Sequence, residues 1–523
     1  MNKNNLPLYF AIAVIFGILI GSFFSGNSSA FTSFSSSSKN EYKIKKLLNY
    51  IQRDYVDTVN TDKLLDGAIA QMLNKLDPHS VYIPKEKLQA ITENLQGNFV
   101  GIGVQFRMIK DSITVIQPLK GGPSILAGIK AGDRILMADK DTLFGKELKS
   151  NDIPKFLKGN PETKVDLQIY RKSIDSLFTI TITRDQVNIK SVDLAYMIND
   201  SVGYIKLDRF ARNTYREFIT SLRDLKNNGM SDLILDLRGN GGGFIDIANS
   251  IVDEFLEDEK LIVFTKNNKN EITESFATEQ GIFKNGGLYI LIDENSASAS
   301  EILAGALQDN DKGTIIGRRS FGKGLVQQEM DLGDGSAVRL TIARYYTPTG
   351  RSIQKPYSKN GNKAYYSNFQ QRIKSGELTN KDSIPVVDSL QYKTPKGKIV
   401  YGGGGIIPDV FVGIDTTAYL NNFYFIAISN FAFEYVDTHR TKIAKKWTLD
   451  NFITDFDTNE LVFDEFYTKI KEFKPSLKTK EIIKKSLKSA IANEIFGDIG
   501  FYRIQHQSDK MIQKVLELEN HQE

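Results

Sequence analysis

Cysteine is absent from this chain of 523 residues, and histidine occurs only four times. The absence of cysteine excludes disulfide bonds, thiolate catalysis, zinc sites with Cys ligands and a lipid attached to an N-terminal cysteine. The histidines, His79, His439, His506 and His521, are far apart, and none lies in a His-Glu-x-x-His metal-binding pattern. A catalytic triad built on histidine therefore has few candidates.

An excess of charge of either sign is also lacking. Lys and Arg number 67 and Asp and Glu 63, which leaves a net charge of +4. This balance gives no reason to expect a nucleic-acid partner. Hydrophobic residues make up 41% of the chain and charged residues 25%, as in ordinary globular proteins. The length predicts about three or four domains.

No charged residue occurs between residues 4 and 38, and within that span residues 6–24 are almost wholly apolar. A helix of this length reaches about 28 Å, which is enough to cross a bilayer. We therefore predict a membrane anchor or signal segment in residues 1–26. An uncleaved anchor is favoured because the apolar run is longer than the core of a signal peptide. The Ser-rich stretch 27–40 predicts a flexible linker, and the pattern of residues 41–95 is typical of amphipathic helices.

Residues 96–185 predict a small β domain with a hairpin around residues 110–111. Its markers are Gly-Ile-Gly-Val at 101–104, Pro-Ser-x-x-Ala-Gly-Ile from 123 and Ala-Gly-Asp-x-Ile from 131. Together they resemble a PDZ domain of the bacterial protease type. The resemblance implies that backbone N–H groups bind the C-terminal carboxylate of a peptide, which then adds as a strand at the domain edge. The implied peptide-binding residues are Gly101, Ile102, Gly103 and Val104.

The stretch 293–301, Asp-Glu-Asn-Ser-Ala-Ser-Ala-Ser-Glu, lies between a short β-branched run and a run with helical periodicity. It therefore predicts a small-residue turn from a buried strand into a helix. Such a turn can expose a nucleophilic hydroxyl and directs the free N–H groups of a helix N-terminus at a ligand. A plain helix cap is the alternative. The residues alone leave three candidate nucleophiles open: Ser296, Ser298 and Ser300.

A second predicted strand, 233–238, runs into Gly-Asn-Gly-Gly-Gly at 239–243. Glycines here would allow backbone N–H groups to approach a ligand closely. The run does not fit a dinucleotide-binding fingerprint, because Phe244 stands where the third glycine is required.

Lys323 admits two interpretations. Residues 317–323 match the first part of a P-loop, but Gly324 stands where Ser or Thr would coordinate magnesium, which disfavours an NTPase. Alternatively, Lys323 is the base for a serine that has no histidine nearby. This requires its pKa to fall from about 10.4 by roughly 3 units, or about 4 kcal/mol, a shift that burial can supply.

Five strings in this order resemble the C-terminal processing peptidases, or tail-specific proteases, over residues 41–413. The strings are Asp-Leu-Arg-Gly-Asn-x-Gly-Gly at 236–243, Ser-Ala-Ser-Ala-Ser-Glu at 296–301, Phe-Gly-Lys-Gly at 321–324, and the stretches 341–348 and 405–410. The resemblance implies Ser298 as nucleophile, Lys323 as base and Gln327 as the residue that orients the base. It implies an oxyanion hole from the N–H groups of Ala299 and of Gly241 or Gly242, and no metal or organic cofactor.

The resemblance also implies a multidomain α/β architecture. The crotonase-like α/β protease core would span 186–413, with an inserted PDZ domain at 96–185, an N-terminal helical arm and a C-terminal helical extension. Residues 356–400 interrupt this core as a polar, Tyr-rich insertion whose role we do not predict. Residues 414–523 are predicted to be a helical packing domain rather than a membrane-binding one, because they have many aromatic side chains to bury.

The implied function is a serine endopeptidase that binds the C-terminal tail of a protein substrate and cleaves through an acyl-enzyme. Substrates with accessible apolar C-termini are expected. The alternative is a non-catalytic, membrane-tethered PDZ scaffold that binds tails without turnover. We expect a single-pass inner-membrane location with the catalytic part in the periplasm, or export if the N-terminal segment is cleaved. The helical arm is compatible with a homo-oligomer.

Overall fold

The computed structural model describes residues 39–145, 148–357, 365, 367–416, 420–458, 460–470 and 477–521. The chain divides into two compact units, Met1–Gln71 and Met72–Glu523. In the first unit, helix α1 spans Lys39–Asp54 and helix α2, Thr61–Asn74, begins. The second unit continues with strand β1 (Val81–Ile83) and helix α3 (Lys85–Gln96). The helices predicted for residues 41–95 are therefore present.

The predicted single-pass location in the inner membrane is contradicted. None of the helices in the described ranges combines the length and the apolar character needed to cross a bilayer. The apolar run 6–24, on which the prediction depended, lies outside the described residues, as does the predicted linker up to residue 38.

Residues 98–188 form a small antiparallel β domain. Its elements are β2 (Asn98–Gly101), β3 (Val104–Ile109), β4 (Ser112–Pro118), α4 (Pro123–Leu126), β5 (Arg134–Ala138), β6 (Asp141–Thr142), α5 (Pro154–Leu157), β7 (Lys164–Arg171), β8 (Ser176–Thr183) and β9 (Asp185–Asn188). The main sheet has the order β3-β4-β5-β7-β8, so β3 lies at an edge, while β2 pairs with β9. The predicted hairpin is confirmed: Lys110 and Asp111, at its turn, have φ of 48° and 56°, the left-handed pair that suits a two-residue hairpin.

The core that follows is built on a six-stranded sheet. In chain order the elements are β10 (Val192–Met197), β11 (Val202–Leu207), α6 (Thr214–Asn227), β12 (Asp232–Asp236), α7 (Ile245–Asp253), β13 (Leu261–Asn267), β14 (Ile272–Phe276), β15 (Gly287–Ile292), α8 (Ala299–Asp309), β16 (Thr314–Gly317), β17 (Leu325–Asp331), β18 (Ala337–Tyr346), α9 (Asn368–Lys374), β19 (Gln391–Lys393), β20 (Ile399–Tyr401) and β21 (Val410–Phe411). The sheet order is β10-β11-β12-β15-β16-β21, parallel from β11 onward. Because the carboxyl ends of parallel strands share one edge, the turns after β12 and β15 lie side by side.

Alternate side chains of each central strand point to opposite faces of this sheet, and both faces are covered. In β15, Ile290 and Ile292 pack in the cluster that contains α6, α7 and α8. Tyr289 and Leu291 pack in a cluster with the last helix of the chain. This double coverage explains why the strands are nearly continuous apolar runs.

A second sheet joins distant parts of the chain beside the core. Its order is β1-β18-β13-β14, with β17 also paired to β18. Strand β18 thus holds both β1, from the start of the second unit, and β17, which carries Gln327. The residues just before β1 are brought next to β17 by this pairing.

In the part of the chain after residue 420 that the structure describes, there are six helices. They are α10 (Asn422–Lys446), α11 (Leu449–Asp455), α12 (Glu460–Ile470), α13 (Leu477–Phe496), α14 (Asp498–His506) and α15 (Lys510–Asn520). Aromatic residues such as Phe431, Phe452 and Phe466 are buried in their common core. Met511 and Val515 of α15 pack instead on the core sheet. The C-terminal segment therefore buries many of its aromatic side chains internally and also covers one face of the core.

The helical segment is joined to the β domain of residues 98–188 through Asp437 of α10, whose side chain is only 7% exposed. It accepts hydrogen bonds from Arg134 at 2.9 Å and Lys172 at 3.1 Å. Burial alone would raise the pKa of Asp437, but these two cations outweigh it and hold the pKa below 3.8. We expect Asp437→Ala to lower the free energy of unfolding by about 1–3 kcal/mol, because two cations lose their partner. Chemical denaturation of the full chain at neutral pH measures this difference.

The matched control is Glu434→Ala on the same helix, since its partners Lys110 and Lys469 are 80% and 45% exposed and such pairs are worth little. The Asp437 carboxylate stabilises the fold above its unfolded-state pKa, and this contribution is lost as the pH falls through the lower folded-state pKa. The difference in the free energy of unfolding between wild type and Asp437→Ala should therefore decrease below pH 3.8. An equal effect of the two substitutions would contradict the assigned contact.

Candidate active site

Ser298 lies at the N-terminal end of α8, after the turn that follows β15. Its φ of 57° and ψ of −113° are rare for a residue with a side chain and cost on the order of 1–3 kcal/mol. Two side chains help to hold this conformation. The Ser298 N–H donates to Glu301 Oε2 at 2.9 Å, and its carbonyl accepts from the Tyr345 hydroxyl at 3.1 Å.

The three candidate serines have different surroundings. Ser296 is buried and its Oγ donates to the Leu237 carbonyl at 2.8 Å. Ser300 is buried and its Oγ donates to the Asn240 carbonyl at 2.9 Å. Ser298 is half-buried and lines a cleft. Of the three, it is the one open to a substrate.

The cleft has a volume of about 520 Å³ and brings together five of the six predicted catalytic and oxyanion-hole residues. Its lining includes Ser298, Lys323, Gln327, Gly241, Gly242, Gly243, Phe244, Leu325, Arg339 and three residues of α3, Thr92, Leu95 and Gln96. The sequence motifs indicate neither the α3 residues nor Arg339 as part of the site. Nothing in the local sequence of α3 signals this role, because the contact depends on the chain returning from a distant position.

Lys323 follows β16 after a glycine turn and is half-buried in the cleft. Its Nζ donates to Gln327 Oε1 at 2.8 Å. Burial lowers the pKa of Lys323 below 10.5, and the positive charge of Arg339 lowers it further, against the carboxylates of Glu301 and Asp77. The shift has the sign that a base requires. Within the described residues, Nζ makes no hydrogen bond to Ser298 Oγ, although both residues line the cleft. After Lys323 the chain enters strand β17, whereas a P-loop would open a helix.

Glu301 connects the serine turn to the lysine turn, a function that the sequence analysis did not assign. It is fully buried and accepts four hydrogen bonds: from the N–H groups of Ser298, Gly322 and Lys323 and from the Ser320 hydroxyl. Burial raises the pKa of Glu301, and these four donors oppose the rise. The sequence signal was present, because Ser298 and Glu301 have the spacing of a capping box.

Gly242 packs directly against the serine turn. A Cβ on this residue would lie 2.8 Å from Ser298 Cβ, and its φ is +101°, so a side chain is excluded there. The Gly242 N–H donates to Asn240 Oδ1 at 2.8 Å. The N–H groups of Gly241 and Ala299 make no hydrogen bond to any described residue. Of the predicted oxyanion donors, the N–H groups of Gly241 and Ala299 are therefore available to a ligand, whereas the N–H of Gly242 is already bonded to Asn240.

Asn240 fixes the glycine turn, and its role was not predicted either. The side chain is fully buried and donates to the Leu207 carbonyl at 2.9 Å while it accepts from Gly242. Its backbone carbonyl accepts from the N–H of Ala297 at 3.0 Å. The turns after β12 and β15 are therefore hydrogen-bonded to each other.

The predicted peptide-binding residues precede and begin edge strand β3. The carbonyls of Ile102 and Gly103 accept hydrogen bonds from Ser124 and Leu119, each at 2.9 Å, so the loop has a fixed shape. Ile102 is 2% exposed, which leaves its backbone rather than its side chain for a ligand. The free edge of β3 is where an added strand would pair.

In the described ranges, no group of three or more Asp, Glu or His side chains is arranged to hold a metal ion.

Comparison with known proteins agrees with this architecture. The model of peptidase family S41 matches residues 201–360, and that of the PDZ domain matches residues 100–182. The N-terminal domain of the activating protease CtpB matches residues 25–87, and a family of unknown function matches residues 426–497.

Two relatives and one solved structure illustrate the similarity. The carboxy-terminal-processing protease of Bartonella bacilliformis is 36% identical over 58% of this chain and 70% of its own length. The carboxy-terminal processing protease CtpA of Bacillus subtilis is 32% identical over 68% of this chain and 76% of its own. The structure of a photosystem II D1 C-terminal processing protease covers 72% of this chain and 88% of its own, with 25% identity and a TM-score of 0.37.

A PDZ domain and a peptidase domain of family S41 in one chain define a serine-type peptidase with its own peptide-recognition module. The chain belongs to the carboxy-terminal-processing protease family and is a serine endopeptidase that acts on protein substrates.

Proposed function

We propose that the chain cleaves proteins through a Ser/Lys acyl-enzyme and selects them by their C-terminal tails. One observation carries the proposal: a half-buried serine at a helix N-terminus and a lysine of lowered pKa line the same cleft. A serine held in a strained turn on a buried strand is a preorganised nucleophile. The glycine turn that contacts it supplies N–H groups where negative charge would develop.

The proposed acylation step moves one proton. Neutral Lys323 accepts the proton of Ser298 Oγ as this oxygen attacks the carbonyl carbon of the scissile peptide. The N–H groups of Ala299 and Gly241 stabilise the oxyanion of the tetrahedral intermediate. Protonated Lys323 then donates the proton to the leaving amine, and the C–N bond breaks.

Deacylation repeats the sequence with water as the nucleophile. Lys323 accepts a proton from the water that attacks the ester, and returns it to Ser298 Oγ as the acid product leaves. Burial lowers the pKa of Lys323 and so reduces the free energy needed to keep its amine neutral. A tenfold change in this protonation equilibrium corresponds to about 1.4 kcal/mol. Gln327 accepts one N–H of this amine and so directs its lone pair.

Tail selection is proposed for the PDZ domain. The N–H groups at residues 101–104 would bind the terminal carboxylate, and the tail would pair with the edge of β3. Substrates with accessible apolar C-termini fit this mode. We also propose a crotonase-like class for the core, supported by parallel strands β12 and β15, which each lead through a tight turn into a helix. A homo-oligomer stays a prediction.

The proposal is tested with one model protein in three forms: with an apolar tail, without its last few residues, and with the tail amidated. The tailed form should be cleaved with kcat/KM about tenfold or more above the other two, since each lost carboxylate contact costs on the order of 1–2 kcal/mol. Equal cleavage of all three forms would reject tail selection. Binding of the tailed form without any cleavage would favour the scaffold instead.

A further inference from the structure

We propose that the turn at residues 77–80, together with Tyr365 of the insertion, positions Gln327 and through it the base Lys323. This inference rests on the proposed Ser298/Lys323 mechanism and adds residues that touch neither the substrate nor the reacting atoms. The contacts form one continuous chain, from the insertion to the amine.

The oxygen and the nitrogen of the Gln327 side-chain amide have different hydrogen-bond partners. Its Oε1 accepts from Lys323 Nζ at 2.8 Å, and its Nε2 donates to the backbone carbonyl of His79 at 2.5 Å. A carbonyl can only accept, so it requires the NH2 end of the amide on its side. The amide oxygen is thereby directed at Lys323. Without the His79 carbonyl, the amide could rotate and present N–H groups to an amine that needs an acceptor.

Asp77 sets the position of this carbonyl. Its Oδ1 accepts from the N–H groups of His79 and Ser80 at 2.7 and 2.8 Å, and its Oδ2 accepts from the Ser80 hydroxyl at 2.6 Å. The Ser80 hydroxyl in turn accepts from the N–H of Thr341 at 3.1 Å. Thr341 is the residue of β18 paired with Gln327. Thr341 of β18 therefore contacts both the turn, through Ser80, and the backbone of Gln327.

The His79 ring connects this turn to the insertion. Its Nε2 lies 2.7 Å from the Tyr365 hydroxyl, and the two ring centroids are 5.2 Å apart in an edge arrangement. Burial lowers the pKa of His79 to about 4, with Lys323 contributing, so the ring is neutral at neutral pH. Phe321, two residues before Lys323, packs on both rings.

Tyr365 is 5% exposed, and its ring also contacts Lys355. The Lys355 Nζ lies 4.1 Å from the centroid of the Tyr365 ring and 3.6 Å from that of Phe321. The insertion therefore closes a packed cluster behind the lysine turn. Loss of a member should misplace the base and slow the chemistry while substrate binding is kept, since a small displacement of a catalytic group can cost about 100-fold.

The test compares Tyr365→Phe, which removes one hydroxyl and keeps the ring, with Tyr357→Phe in the same insertion. We expect Tyr365→Phe to lower kcat about threefold to tenfold, the range of one hydrogen bond, with KM unchanged. Tyr357→Phe should match wild type. Asp77→Ala should lower kcat about 100-fold, and Asp77→Asn, which keeps an acceptor oxygen, should recover part of the loss.

A double-mutant cycle separates positioning from general loss of structure. If Tyr365 acts through Gln327, Tyr365→Phe should have no further effect on kcat in a Gln327→Met background. A full additional loss in that background, or a rise in KM with unchanged kcat, would overturn the inference even if Asp77→Ala fails to fold. Retained activity in Ser298→Ala would instead reject the underlying mechanism, so the two failures are distinguishable.

Discussion

Replacing Ser298 with alanine is expected to reduce turnover of a tailed model protein at least about 10⁴-fold, because only binding and the oxyanion donors remain. The fold should be retained, since the contacts that hold the turn are made by the backbone N–H and carbonyl of residue 298. Initial cleavage rates followed by mass spectrometry measure the loss. Circular dichroism of the same samples verifies the fold.

The two neighbouring serines serve as matched controls. The Ser296 and Ser300 hydroxyls donate to the backbone carbonyls of Leu237 and Asn240, which follow β12, so their loss affects stability rather than the nucleophile. We expect Ser296→Ala and Ser300→Ala each to lower the free energy of unfolding by about 1 kcal/mol, and to keep turnover within about tenfold of wild type. Cleavage at the wild-type rate by Ser298→Ala, or complete loss in either control, would reassign the nucleophile.

The arrangement around this serine was largely predictable because it depends on local patterns. The apolar run before residue 293 predicted a strand, and β15 ends at Ile292. Small residues followed by helical periodicity predicted the helix, and α8 begins at Ala299. Strand, turn and helix are each encoded within a few residues, so one sequence is sufficient to find them.

The choice among the three serines was not predictable from local pattern. All three lie in the same repeat of Ser and Ala, and their hydroxyls are chemically equivalent. What separates them is the backbone conformation of Ser298 and the partners that the other two find on Leu237 and Asn240, some 60 residues earlier. Only the resemblance to a family indicated the middle serine.

His79 shows a different limit of sequence reasoning. Its ring contacts the rings of Tyr365 and Phe321. The group that contacts Gln327 is its backbone carbonyl, and a carbonyl has no signature in the sequence. His79 and Gln327 meet because β1 and β17 both pair with β18. The two residues are about 250 positions apart in the sequence.

Replacing Lys323 with methionine is expected to reduce turnover about as severely as loss of the serine, because the proton of Ser298 would have no acceptor. Lys323→Arg should be equally inactive, since a guanidinium keeps its proton at any working pH. The wild type should show kcat/KM that rises with pH as Lys323 loses its proton, since only the neutral amine is a base. Burial and Arg339 lower the pKa of Lys323, so this rise should lie below pH 10.5.

Lys355 is the control for this pH profile. Burial, with the charges of Arg372 and Arg319, lowers the pKa of Lys355 to about 8, so this amine also titrates below its usual range. Its amine lies against the rings of Phe321 and Tyr365, behind the lysine turn, and lines a different cavity from the cleft. We expect Lys355→Met to be slower but to keep the rise of kcat/KM with pH. The opposite result would be loss of the rise in Lys355→Met, together with an active Lys323→Met that keeps the rise. Lys355 would then be the titrating group, and the base would not lie in the cleft.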